Sequence, residues 1–92
     1  LKELRSTPAP TRAFAVVMLV RLEKIKVPEE ISVNPYSDVT PQIWAYKQIA
    51  AARAAGIIRS AKYFRPFEQL DKQTAVMFLS GINRVREKIS GL

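Results

Sequence analysis

Apolar positions recur along the chain in steps of three and four over three stretches, which predicts three helices. The first opens at Thr11, a capping residue type, and runs to about Ile25. Phe14, Val17, Met18, Leu22 and Ile25 share one face of it. Ala15, Val16, Leu19 and Val20 are apolar too, so this helix is greasy nearly all round and belongs inside a bundle. Residues 27–35 carry two prolines and the Glu29-Glu30 pair, which reads as a connector. The second helix is punctuated by Thr40, by Pro41 where a missing amide costs nothing, and by Gly56 as a left-handed stop. Between them Ile43, Trp44, Tyr46 and Ile49 give an aromatic head on a slim alanine body, with Trp44 expected in the core. Residues 59–69 form a loop anchored by Tyr63, Phe64 and Phe67. The third helix starts at Asp71, with Ala75, Phe78, Leu79, Ile82, Val85 and Ile89 on one stripe. Gly81 weakens it by about 1 kcal/mol against alanine unless a neighbour packs close there. No strand pattern competes, and the predicted class is all-α.

The first and third helices repeat one another. Ala15 meets Ala75 (75 − 15 = 60), Val16 meets Val76 and Leu19 meets Leu79. Met18 with Phe78 and Leu22 with Ile82 keep the register, and upstream Leu4-Arg5 falls on Phe64-Arg65. This divides the chain into residues 1–27, the C-terminal half of one unit, a connector at 28–35, and residues 36–92 as a complete copy. All are expected to pack as one small helical bundle.

Tyr36-Ser37-Asp38-Val39, Trp44-Ala45-Tyr46, the alanine run into Gly56-Ile57-Ile58, and Phe64-Arg65-Pro66 together resemble the S-layer homology repeat. So does Pro10-Thr11-Arg12-Ala13-Phe14-Ala15, which is similar to the family phrase I-T-R-A-E-F-A. The likeness follows the family's order over about 80 residues. It implies tandem helix–loop–helix units in the cell envelope, outside the cytoplasm. Such units anchor proteins, without catalysis, to anionic polymers linked to peptidoglycan. It also implies a polymer site in which the arginine of T-R-A-E pairs with an acidic sugar. Carried over residue by residue, that site comprises Thr11, Arg12 and, by substitution, Lys72, with Trp44 and Arg65 as groove walls.

The chain departs from the family pattern in three respects. T-x-x-E is a capping box, but Phe14 and Thr74 stand at the two glutamate positions. Lys72 lacks the planar fork with which arginine holds a carboxylate. The loop Arg59-Ser60-Ala61-Lys62-Tyr63 has no glycine.

Composition narrows the chemistry. With 92 residues, 48% hydrophobic and 25% charged, the chain suits one globular domain. Its net charge of +7 favours anionic partners. It has no cysteine and no histidine, which removes disulfides, thiolate zinc sites, cysteine nucleophiles and the commonest general base. Only Asp38 and Asp71 supply aspartates, so neither an enzyme nor a metal or organic cofactor is expected. The apolar run from Ala13 to Val20 is far shorter than a membrane span. Nor does it read as a signal peptide, and a start at Leu1 suggests a mature or excised segment.

Two other functions compete with polymer binding. A chain that begins within a repeat leaves a helix face uncovered, which suits a structural module docked on other envelope proteins. A basic nucleic-acid binder is the third possibility, though no reading motif is present. Plain structural roles also exist for the singled-out cations. Arg65 can tie the loop to a carbonyl, Lys72 can be a solvated first-turn residue, and Arg84, Arg86 and Lys88 suit a helix C-terminus.

Overall fold

Thr11 starts the first helix as its residue type requires: its hydroxyl accepts from the Phe14 amide at 3.1 Å. Asp71 does the same for the last helix, accepting from the Thr74 amide at 2.7 Å. The computed structural model describes residues 10–90, with side chains as far as Glu87. Within it run α1 (Arg12–Leu22), α2 (Tyr46–Ala54) and α3 (Lys72–Ser90). Among the described residues there is no sheet, only isolated bridges at Thr11–Gln69 and Tyr36–Val39. The fold is a small all-α bundle. Thr11→Ala should lower its stability by about 1 kcal/mol, read as a lower thermal midpoint.

Both shorter helices end in the same way. After α1, Lys24 takes a left-handed φ of 53°, and the Ile25 amide reaches back to the Val20 carbonyl at 3.0 Å. After α2, Gly56 takes φ 86° and the Ile57 amide reaches the Ala52 carbonyl at 3.0 Å. Each is a Schellman closure, which satisfies carbonyls the helix leaves free. It stops α1 at Leu22, three residues short of the expected Ile25. α2 begins later than expected, because residues 41–45 form tight turns. There Ile43 bonds back to Thr40 at 2.9 Å and Tyr46 to Ile43 at 3.0 Å, three residues apart rather than four.

The core gathers Ala13, Val16, Val17 and Val20 of α1 with Tyr46, Ile49 and Ala52 of α2. α1 and α2 pack directly on each other. Tyr36, Val39, Ile57, Ile58 and Phe64 from the connections join them, with Phe78 and Ile82 of α3. Gly81 brings α3 against backbone, since a β-carbon there would lie 2.8 Å from the Ile57 carbonyl carbon and overlap its oxygen.

Several side chains fall elsewhere than the periodicity suggested. Phe14, Met18 and Leu22, expected to share the inward face with Val17, are exposed at 48%, 40% and 68%. On α3, Leu79 is exposed while Thr74, Phe78 and Ile82 are buried; the Ile89 side chain lies outside the description. Trp44, expected in the core, is 57% exposed because it sits in the turns before α2 rather than on the helix. Of the three loop aromatics only Phe64 is buried.

The two matched helices bury opposite faces. Val16, Val17 and Val20 are buried on α1, whereas Val76, Met77 and Ser80, sixty residues on, are exposed. Thr74, Phe78 and Ile82 are buried, whereas Phe14, Met18 and Leu22 are exposed.

Candidate functional site

The starts of α1 and α3 are tied together by the loop between α2 and α3. The first amides of a helix have no partner within it. Here the Arg12 and Ala13 amides donate to the Glu68 and Pro66 carbonyls, each at 2.9 Å, and Leu70 donates to Pro10 at 2.8 Å. The middle of that loop is held by Asp38, whose carboxylate accepts from the Phe64 amide at 2.9 Å and the Arg65 amide at 2.8 Å. Ser37 donates to the Lys62 carbonyl at 2.8 Å, and the Tyr36 hydroxyl donates to the Arg59 carbonyl. Burial raises the Tyr36 pKa, so the phenol stays a neutral donor at physiological pH. The Tyr-Ser-Asp-Val segment thus holds the Phe-Arg-Pro segment by its backbone. The spacing of the two phrases suggested kinship but not this contact.

Arg12 emerges from this junction half-buried and braced on several sides. Its Nε donates to the Phe64 carbonyl at 2.8 Å and its Nη1 to the Thr74 hydroxyl at 3.0 Å. The guanidinium packs over the rings of Phe64 and Phe78, 5.0 and 5.7 Å from their centroids. Those rings are stacked at 6.3 Å, and Phe64 also meets Tyr36 at 5.3 Å. Cation–π attraction and two neutral acceptors hold the fork without neutralising it. Asp71 feels the charge from a distance. Its pKa is lowered first by the Thr74 amide, then by the Thr74 hydroxyl, with Arg12 contributing least.

Arg12 lines a cleft of about 250 Å³ between the loop and α3. Arg59 and Arg84 line it too, with Tyr63, Met77 and Phe78 among its walls. None of the lining residues is acidic. Three arginines among its lining residues, with exposed aromatic and aliphatic surface, suit an oxyanion carried on a ring or chain.

Of the five residues expected at a polymer site, only Arg12 lines this cleft. Thr11 is occupied as the α1 cap. Trp44 is exposed but does not line the cleft. Arg65 takes a left-handed φ of 61° and sets its side chain 3.5 Å from Glu68, on the surface. Lys72 is a solvent-exposed first-turn residue of α3. Arg59 and Arg84 were not singled out for the site. They belong to the loop and the far half of α3, and only folding brings them to the cleft that Arg12 lines.

Arg86 has a different role. It donates to both carboxylate oxygens of Glu23 at 2.9 and 2.6 Å, joining the end of α1 to α3. Hydrogen bonding from Arg86 lowers the Glu23 pKa. Both Glu23 and Asp71 therefore have folded pKa values below their unfolded ones. Their contribution to stability is present above the ordinary carboxylate pKa values and is lost as pH falls through the lowered folded values. Thermal midpoints should therefore drop as pH falls through and below the ordinary carboxylate range. Glu23→Gln should flatten part of that drop.

Among the described residues no group of three or more acidic side chains gathers to hold a metal ion. No described helix is long and apolar enough to cross a membrane. No family model, no curated protein and no solved structure matches the chain.

Proposed function

We propose that the chain is a non-catalytic cell-envelope module of the S-layer homology type that binds an anionic polymer linked to peptidoglycan. The observation that carries this reading is Arg12: a pre-positioned fork, free of any carboxylate partner among the described residues, lining a cleft with no acidic wall. It is the arginine of the chain's Thr-Arg-Ala phrase, which the family likeness assigned to an acidic sugar. Holding such a fork ready reduces the ordering cost of binding.

The test is co-sedimentation with purified cell-wall sacculi. Wild type should pellet with them, and Arg12→Ala should weaken binding by about 10- to 100-fold, as loss of a charged hydrogen-bonding group does. Arg12→Lys, which keeps the charge but not the fork, should fall between. Wild type that stays in the supernatant would reject the reading.

A second reading, a structural module that docks on neighbouring proteins, is favoured by the opposite-face pattern. Phe14, Met18 and Leu22 on α1, and Val76 and Met77 on α3, expose apolar positions whose sixty-residue counterparts are buried. Exposed apolar stripes of this kind mark interaction surfaces. Sedimentation velocity distinguishes the readings: self-association abolished by Met18→Lys or Met77→Lys favours assembly, and a clean monomer that pellets with sacculi favours polymer binding. Steeply salt-dependent DNA binding in the same preparations would instead support the basic nucleic-acid reading.

A further inference from the structure

We propose that the cavity between the connector and α2 binds a free α-amino acid with an aliphatic side chain, its carboxylate held by Arg53 and its ammonium group by Glu30. The inference is independent of the polymer-binding reading, because this cavity and the Arg12 cleft share no lining residue.

The cavity has a volume of about 340 Å³, the size of a small-molecule site. Much of its lining is apolar. Ala50 and Ala54 stand one turn apart on α2, and Ile31 of the connector packs against the core. Asn34 ties the connector to α2: the Tyr46 hydroxyl donates to its Oδ1 at 2.8 Å, which leaves the Nδ2 donors for a ligand.

Arg53 is braced much as Arg12 is. Its Nη2 donates to the Ser60 hydroxyl at 2.7 Å, and its guanidinium carbon lies 6.0 Å from the centroid of the Tyr36 ring. Tyr36 in turn meets Phe64, so the two guanidinium groups flank one row of rings and line separate cavities. The Arg53 Nε is buried without an acceptor, and among the described residues Nη1 has none either. A partly buried cation with orphaned donors and no counter-charge is costly, and a carboxylate arriving at Nη1 offsets that cost.

Glu30 lines the same cavity, yet no ion pair joins it to Arg53. The two opposite charges select the ligand together. A simple anion is repelled by Glu30, and a simple amine is repelled by Arg53. An α-amino acid carries both charges on one carbon with its side chain beside them, which matches a cation and an anion flanking apolar surface.

The test uses the full chain and three probes: leucine, 4-methylpentanoate, which lacks the ammonium group, and 3-methylbutylamine, which lacks the carboxylate. NMR follows the Asn34 side-chain amide and the backbone amides of Ala50 and Ala54. Leucine should shift all three saturably and bind about tenfold or more tighter than either half, as loss of a charged hydrogen bond implies. Glu30→Gln should weaken leucine about tenfold while 4-methylpentanoate binds as well as before or better. Arg53→Gln should weaken leucine similarly and leave 3-methylbutylamine unchanged.

Leucine that moves none of these resonances at about 50 mM overturns the proposal. So does a Glu30→Gln variant that weakens leucine and 4-methylpentanoate alike, and so does wild type that binds either half as tightly as leucine. Should Arg53→Gln fail to fold for want of its contact with Tyr36, Glu30→Gln decides alone, since Glu30 is exposed and unpaired.

Discussion

Gly81→Ala should destabilise the protein by about 1–3 kcal/mol, the range for forcing an extra methyl into a packed site. Helix propensity alone argues the opposite, because alanine is favoured over glycine within a helix by about 1 kcal/mol. The two effects differ in what they act against. Propensity acts on the conformational freedom of one residue. The added β-carbon would overlap the Ile57 carbonyl oxygen and lie 2.8 and 3.1 Å from its carbonyl carbon and Cα. Ile57 cannot easily retreat, since its amide closes α2 on Ala52 and its side chain is 1% exposed. Backbone held by its amide and by a buried side chain does not yield as the tip of a flexible side chain would. A lower urea midpoint with unchanged slope is expected; a midpoint above wild type would show that α3 does not approach the α2 stop as described.

Phe64→Ala should cost more, about 3–5 kcal/mol. The ring is 3% exposed, meets Tyr36 and Phe78, and lies under the Arg12 guanidinium. Its removal leaves a cavity at the point where the loop, α1 and α3 meet, and it also strips Arg12 of one cation–π partner. A domain of this length holds only about 5–14 kcal/mol in total, so the variant should be marginal near body temperature. Trp44→Ala provides the contrast. Trp44 is the larger side chain, yet at 57% exposure its loss should change stability by less than about 1 kcal/mol. Circular dichroism melts of both variants settle the comparison. If Trp44→Ala lowers the midpoint as far as Phe64→Ala, the assignment of the core is wrong.

Local signals in the sequence were sufficient for the caps at Thr11 and Asp71, the stop at Gly56 and the existence of the three helices. Each of these is satisfied within four or five residues by hydrogen bonds the chain makes with its near neighbours. The positive balance and the lack of cysteine and histidine were equally available. Which way each apolar side chain points was not. α1 is apolar nearly all round, so periodicity could not choose between the Val16/Val17/Val20 face and the Phe14/Met18/Leu22 face; contact with α2 chose. Trp44 looked like core because of its size, but the turns before α2 placed it outside. Arg59, Thr74 and Arg84 came to line one cleft with Arg12 only through packing across intervals of 47 to 72 residues (59 − 12 = 47, 84 − 12 = 72). The sign of the Gly81 effect was likewise decided by a carbonyl in another element. Capping and helix formation depend on bonds along the chain, whereas burial and site geometry depend on which distant surfaces exclude water together.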